Sequence, residues 1–275
     1  MSISTKKLVG ALIFAGGVGK RMGPNFPPKQ FLEIADKPIL VHTLEKFQAN
    51  DYVEFIVVVC VSSHLAYCRQ LIKKWGLSKC ISIVPGGQTG QESIRKGLLE
   101  IAKRKPNENP LILLHDGVRP FVTDELITKN INTAIEKRNC VSVSSSIETV
   151  GLLSRTNGEL QGVLERGQCV NIKAPQTFFL NDLLCAHHRA ISENYSAIDS
   201  ASLMSHFGWK LNYVHCLPNN IKITNYEDYI LAKALAEIIK IRKKRNILRL
   251  PFNVFLCILP YPFSLEAPEN SSHML

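Results

Sequence analysis

Short, continuous apolar runs alternate with stretches of helical spacing through the first half of the chain. Leu8 to Ala15 is apolar and ends in glycines, the pattern of a strand covered on both faces. From Lys37 to Asn50, Leu40, Leu44 and Phe47 recur at helical spacing behind Pro38, which suits a first helical turn. Phe55-Ile56-Val57-Val58-Val59-Cys60-Val61 is β-branched almost throughout and predicts a core strand. A helix follows over Ser63–Trp75, with Ser62 or Ser63 as its cap. Ile81 to Val84 predicts a short strand closed by Pro85-Gly86-Gly87, and Glu92 to Lys103 a helix. Leu111-Ile112-Leu113-Leu114-His115 is another buried strand. Thr123-Asp124-Glu125 then opens a helix with cap chemistry that runs to about Arg138.

Such repeats predict an α/β fold, a Rossmann-like, mainly parallel sheet with helices on both faces. Residues 141–178 break the alternation with short strand-like pieces at Val141–Val143, Ile147–Leu153, Leu160–Leu164 and Cys169–Ile172, separated by turn signals. They predict a projecting β-arm, a shape that often makes an oligomer contact. Helices return over 181–193 and 199–207, a strand over Leu211–Cys216, and a last helix from about Asn225. Residues 251–275 hold four prolines and no clear period. The expected organisation is one domain over 1–240 and a basic, loosely ordered tail over 241–275.

A chain of 275 residues with 45% hydrophobic and 20% charged positions forms a real core and is not disordered. It contains no apolar run long enough to span a membrane and no signal-peptide pattern at its start, so a cytoplasmic protein without membrane contact is expected. The net charge is +10, and the last 36 residues carry six cations against two acids. The modest excess elsewhere suits a phosphate-bearing ligand. A basic stripe interleaved with aromatics is missing, which argues against nucleic acid. None of the eight cysteines forms a Cys-x-x-Cys pair, so buried thiols are expected rather than metal ligands or disulfides. The eight histidines show no metal spacing.

In a sheet of this kind ligands bind beyond the carboxyl ends of the strands, and the unusual residues cluster in three loops there. The first is Ala15-Gly16-Gly17-Val18-Gly19-Lys20-Arg21-Met22-Gly23 with Pro28-Lys29-Gln30 behind it. Glycines after a buried strand let backbone amides cradle phosphates, and Arg21 and Lys29 add charge. The alternative is a tight turn with surface charges, for which this many glycines and cations is excessive. In the second loop, Gly86-Gly87-Gln88-Thr89-Gly90-Gln91-Glu92-Ser93, small residues let a base or sugar lie on the backbone. Ser93 either caps the helix, the favoured role for the residue alone, or binds a ligand. The third is His115-Asp116-Gly117-Val118-Arg119-Pro120. Asp116 can orient a Mg²⁺-bound phosphate or a sugar hydroxyl, and Arg119 can neutralise phosphate; alternatively the two form a local ion pair that fixes the turn. Farther on, Lys222 stands between apolar residues in Asn220-Ile221-Lys222-Ile223-Thr224, and either snorkels or reaches into a site. Together these parts suit a triphosphate bound by amides and cations with Mg²⁺, and phosphoryl-type transfer by positioning and charge neutralisation.

The ordered set Ala15-Gly16-Gly17-x-Gly19-x-Arg21-Met22, Pro28-Lys29-Gln30-Phe31, Glu92-Ser93-Ile94, His115-Asp116-x-x-Arg119-Pro120, Pro175-Gln176-x-Phe178 and Asn220-Ile221-Lys222-Ile223-Thr224 resembles the CTP:polyol-phosphate cytidylyltransferases over residues 8–240. The resemblance implies that a polyol phosphate attacks CTP to give a CDP-polyol and pyrophosphate. It implies that Ala15, Gly16, Gly17 and Gly19 hold the triphosphate. Arg21 and Lys29 would stabilise the transition state. Gly86, Gly87 and Ser93 would read the cytosine, and Asp116 the sugar near Mg²⁺. Arg119 and Lys222 would face the phosphates or the polyol. Arg166 would reach the neighbouring subunit's polyol site from the β-arm, implying a homodimer. Gly117-Val118, Phe31-Leu32 and His42-Thr43-Leu44-Glu45 lean toward the ribitol 5-phosphate branch, which serves surface-polymer synthesis. The 2-C-methyl-D-erythritol 4-phosphate branch of isoprenoid synthesis is the alternative. Asp199 is retained, but Ala174 and Ile198 replace threonines usual near the polyol pocket.

Two other readings compete. A dinucleotide-dependent oxidoreductase is disfavoured because Met22 breaks the glycine fingerprint and no ribose-binding acid stands at the right distance. A non-catalytic nucleotide-binding protein is disfavoured by the presence of both Arg21 and Lys29.

Overall fold

The computed structural model describes residues 7–17, 27–154, 156 and 158–244, the last three of these by backbone alone. The central sheet has seven strands, β1 (Val9–Ala15), β4 (Phe55–Cys60), β5 (Cys80–Pro85), β6 (Leu111–Asp116), β7 (Asn139–Ser145), β10 (Val170–Phe179) and β11 (Tyr213–His215). Their spatial order is β11-β7-β10-β6-β1-β4-β5, and β10 alone runs antiparallel to its neighbours. The two short strands β2 (Glu33–Ile34) and β3 (Lys37–Pro38) pair with each other, as do β8 (Gly151–Leu153) and β9 (Leu160–Val163).

The apolar runs become central strands because both of their faces are covered. Along β1, Ala11 and Ile13 face one side and Leu12 the other. The first side packs on α1 (Ile39–Ala49), α2 (Leu65–Lys74) and α4 (Asp124–Lys137) through residues such as Leu44, Phe47, Leu71 and Ile131. The second packs on α3 (Gly90–Arg104), α5 (Leu180–Ser192) and α6 (Ser200–His206) through Leu98, Ile101, Leu183 and Met204. Gly97 on α3 is needed for this approach, since a Cβ there would overlap Leu12 and Val59. Thr123 caps α4 by accepting from the Leu126 N–H, and Arg138 ends it in a left-handed conformation.

Three expectations are corrected. Lys37 and Pro38 belong to β3, so the first helix begins at Ile39. Ser62 and Ser63 lie in a 3-10 turn, and α2 starts at Leu65 without a side-chain cap. The break in alternation over 141–178 is not all arm. Val141–Val143 lies in β7 and residues 170–179 form β10, both in the central sheet. The separate arm is β8–β9 with its flanking turns.

The chain divides into two units, Met1–Lys233 and Ala234–Leu275, and the last helix among the described residues is α7 (Tyr226–Lys244). The first unit contains the sheet. Of the tail expected over 241–275, residues 241–244 instead close helix α7, and residues 245–275 lie outside the described residues. Among the described residues no helix is long and apolar enough to cross a membrane.

Candidate active site

The chain passes from β1 outward to β4 and β5, then returns to place β6 on the other side of β1. That reversal opens a crevice at the carboxyl ends of the strands, the place where such sheets bind ligands. The three loops meet there. Gly16 and Gly86 are pressed together: a Cβ on Gly86 would stand 3.3 Å from the Gly16 Cα and 3.2 Å from the Ser93 Oγ. Ser93 is buried and joins the loops. Its hydroxyl accepts from the Gly87 N–H at 2.9 Å and donates to the Thr89 carbonyl at 2.8 Å.

Ser93 is therefore not the cap of α3. Thr89 takes that place, its hydroxyl accepting from the Glu92 N–H at 3.0 Å. Glu92 turns back and accepts from the Gln88 N–H at 2.7 Å, a variant of the capping box. The bond to Gln88 is the main reason that the Glu92 carboxyl is held below its ordinary value, with Lys96 adding to it. The cap leaves the Ser93 hydroxyl free to fix the glycine loop.

Gln30 is buried and its amide donates to the carbonyls of Ala15 at 2.7 Å and Gly17 at 3.3 Å. This turns the Ala15–Gly17 carbonyls inward. Lys29 stands beside it, largely buried, in a 3-10 turn over Lys29–Phe31. Gly19 and Arg21 lie outside the described residues.

At the end of β6 a charge cluster forms. Asp116 is paired through Oδ2 with Arg119 Nε at 3.1 Å and through Oδ1 with Lys222 Nζ at 2.6 Å. Burial alone would raise the Asp116 carboxyl, but Arg119 and Lys222 outweigh it and hold it below its ordinary value. The local Asp–Arg pair expected as an alternative thus exists, and Lys222 joins it from 106 positions along the chain. Arg119 also donates to the Asn220 carbonyl at 2.8 Å, and the Asn220 amide donates to the Ala174 carbonyl at 2.7 Å. These two bonds bring the segment before α7 against β10, where the Ala174–Pro175 bond is cis. His115 faces the other way. It is fully buried, hydrogen-bonded to the Arg119 carbonyl at 3.1 Å, and burial pushes its imidazole down to about 4.

Asp199 caps α6, accepting from the Ser202 N–H at 2.8 Å, and accepts from Gln176 Nε2 at 2.9 Å. Both carboxylate oxygens therefore have structural partners. Ile198 beside it is 99% exposed. Arg166 is exposed on the arm and donates to Thr149 at 3.1 Å, with no described contact to the Asp116 cluster.

Of the residues named from the sequence, the fold brings Gly16, Gly86 and Ser93 together at the glycine loops, and Asp116, Arg119 and Lys222 together at the end of β6. Sequence reasoning gave no site role to Gln30, Gln176 or Asn220, although all three stand inside the quoted motifs. The described cysteines are all free. Cys185 is exposed, and Cys80, Cys169 and Cys216 are half-buried, so the expectation of buried thiols holds only for Cys60, Cys68 and Cys140.

The family described as IspD, 2-C-methyl-D-erythritol 4-phosphate cytidylyltransferase, matches residues 9–238. The ribitol-5-phosphate cytidylyltransferase of Vibrio parahaemolyticus is 41% identical over 82% of this chain and 95% of its own. The enzyme of the same name from Streptococcus agalactiae is 42% identical, covering 82% and 93% of the two chains. The 2-C-methyl-D-erythritol 4-phosphate cytidylyltransferase of Clostridium novyi is 32% identical, covering 84% and 97%. Among solved structures, 4-diphosphocytidyl-2C-methyl-D-erythritol synthase from Anaerococcus prevotii superposes with a TM-score of 0.74 at 26% identity, covering 84% of this chain and 97% of its own. With its glycine loops and charge cluster set in this fold, the chain belongs to the IspD family of cytidylyltransferases, nucleotidyltransferase enzymes that use CTP and a polyol phosphate.

Proposed function

We propose that the enzyme converts CTP and D-ribitol 5-phosphate to CDP-ribitol and pyrophosphate. The observation that carries the choice of polyol is the gap in identity. Four relatives named for ribitol 5-phosphate are 41–42% identical and a fifth is 32% identical, whereas three named for the erythritol substrate are 32–33% identical.

A phosphate oxygen of the polyol phosphate attacks the α-phosphorus of CTP. The bond from that phosphorus to the oxygen bridging the β-phosphate breaks, and pyrophosphate leaves with that electron pair. The groups at hand suit this reaction. The Gly16–Gly17 backbone and Lys29, with Arg21 expected beside them, would hold and neutralise the triphosphate. Gly86, Gly87 and Ser93 form the wall on which the cytosine would lie. Asp116 is held ionised between Arg119 and Lys222, which would face the reacting phosphates.

Mg²⁺ fits this donor set in one way only. Among the described residues no three His, Cys, Asp or Glu side chains are grouped to hold a metal. A single carboxylate suffices when phosphate oxygens and waters complete the octahedron. Asp116 would be that ligand, and the ion would neutralise charge on the triphosphate.

The arm supports a homodimer. Ile147, Leu153, Leu160 and Val163 are each at least 65% exposed on it, an apolar surface unusual for a lone chain. In a dimer joined there, Arg166 would reach the partner's polyol. The reaction would run in the cytoplasm, where CTP is supplied, and the product would serve surface-polymer synthesis. Mass spectrometry of the product formed from CTP and ribitol 5-phosphate tests the reading: CDP-ribitol supports it, and unreacted CTP overturns it. Sedimentation of a Leu153→Asp, Val163→Asp variant tests the dimer, which should become monomeric.

A further inference from the structure

Asn220 is 2% exposed and tied to its surroundings by three bonds. Its N–H donates to the Leu217 carbonyl at 3.1 Å, which closes a turn. Its side-chain amide donates to the Ala174 carbonyl of β10 at 2.7 Å, and its own carbonyl accepts from Arg119 Nη1 at 2.8 Å. Farther along, the Ile223 N–H donates to the Val118 carbonyl at 3.0 Å. Between these two anchors stands Lys222, its amine 2.6 Å from the Asp116 carboxylate. The Asn220 side chain therefore fixes a segment that delivers a carbonyl to one cation of the cluster and carries the other.

Arg119 is held at two of its five N–H donors, Nε by Asp116 at 3.1 Å and Nη1 by the Asn220 carbonyl. Its backbone is fixed as well, the Arg119 carbonyl lying 3.1 Å from His115 Nε2. Nη2 makes no hydrogen bond among the described residues. A planar guanidinium pinned along Nε and Nη1 cannot swivel, so Nη2 points one way and meets an anion without reorganisation. Fold stability alone would not select asparagine at 220. Its Oδ1 is buried without a partner among the described residues, and an unpaired buried acceptor is destabilising. What the residue supplies in return is the bond to Ala174. We propose that Asn220 is a positioning residue: its amide, through Ala174, sets the carbonyl that aims Arg119 at the reacting phosphates. This rests on the reading that Arg119 faces those phosphates, and adds to it the residue that orients the guanidinium.

The test is a double-substitution cycle on steady-state pyrophosphate release, with CTP and ribitol 5-phosphate varied in turn. Arg119→Lys keeps the charge of the cluster but has no Nη1 to meet the Asn220 carbonyl. A misplacement of about 1 Å at a reacting centre costs on the order of 10²-fold. Asn220→Ala in the wild-type background should therefore lower kcat/KM for ribitol 5-phosphate by roughly 10- to 100-fold. In the Arg119→Lys background the same substitution should cost less than about threefold, because no guanidinium remains to be aimed. The same factor in both backgrounds with melting intact, or an unchanged kcat/KM in the wild-type background, overturns the assignment, since a residue that only holds the fold together acts alike whatever stands at 119. If Asn220→Ala melts early, Asn220→Ser, which keeps a polar group in the site, goes through the same cycle and is judged by the same ratio. An Arg119→Lys enzyme as active as wild type overturns instead the reading that Arg119 faces the phosphates, and that result is in hand before Asn220 is changed.

Discussion

Asp116→Asn removes one charge from a buried cluster and leaves its two partners behind. The side chains of Asp116 and Arg119 are 7% and 9% exposed, whereas Lys222 is 43% exposed. Breaking a buried pair by removing one partner costs about 3–5 kcal/mol, because the remaining charge is uncompensated. Arg119 keeps its bond to the Asn220 carbonyl, and Lys222 can turn to water, so the lower end applies. A loss of about 3 kcal/mol corresponds to a fall in Tm of roughly 6–12 °C for a domain of this size. Lys222→Met removes the exposed partner and leaves the Asp116–Arg119 pair intact, so it should cost less than about 1 kcal/mol. Both variants should lose most activity. Guanidinium denaturation of the two variants beside wild type, with pyrophosphate release on the same samples, separates stability from catalysis. Equal destabilisation by both substitutions, or an Asp116→Asn protein as stable as wild type, would refute the reasoning.

Three further outcomes are expected. Gly86→Ala places a methyl 3.3 Å from the Gly16 Cα and 3.2 Å from the Ser93 Oγ, so it should spread the loops and raise the KM for CTP by roughly tenfold, measured by pyrophosphate release at saturating polyol phosphate. Lys29→Ala should lower kcat by on the order of 10²-fold while CTP affinity measured by calorimetry changes only a few-fold, as expected of a group acting mainly in the transition state. His187 is buried with both ring nitrogens unpartnered, and burial followed by the Arg95 charge pushes it down to about 4. Between about pH 6.5 and 4 the unfolded chain holds a proton that the folded chain lacks. His187 should therefore remove about 3 kcal/mol of stability as pH falls through that window. Chemical denaturation at pH 7 and pH 5 should show the loss, and His187→Leu should flatten it.

Much of the fold was legible because parallel strands covered on both faces cannot alternate. The Phe55–Cys60 and Leu111–Asp116 strands are buried at every position, and their sequences read as continuous apolar runs. Thr123 with Asp124 and Glu125 marked the start of α4 for the same kind of local reason. The arm was drawn too wide because β7 and β10 hide polar groups in the core. Ser142 is fully buried, donating to the Pro175 carbonyl and accepting from Asn130, so the strand looks like a surface one. β10 is exposed over its first three residues and buried over its last six, which no single period describes. Within the site, Asp116 and Arg119 are three residues apart and could be read as a pair. The bonds from Gln30 to Ala15 and from Asn220 to Ala174 depend on tertiary approach and leave no local trace. The role of Ser93 was obscured by its place in a first helical turn, although Thr89-x-x-Glu92 is itself a cap signal.

The choice of polyol is tested most directly by kcat/KM for pyrophosphate release from CTP and Mg²⁺, with ribitol 5-phosphate and 2-C-methyl-D-erythritol 4-phosphate compared on one enzyme preparation. The account predicts that ribitol 5-phosphate is preferred by on the order of a hundredfold or more, the discrimination open to a site that pairs a substrate's polar groups. A preference for the erythritol substrate would contradict it, and would move the enzyme to isoprenoid synthesis.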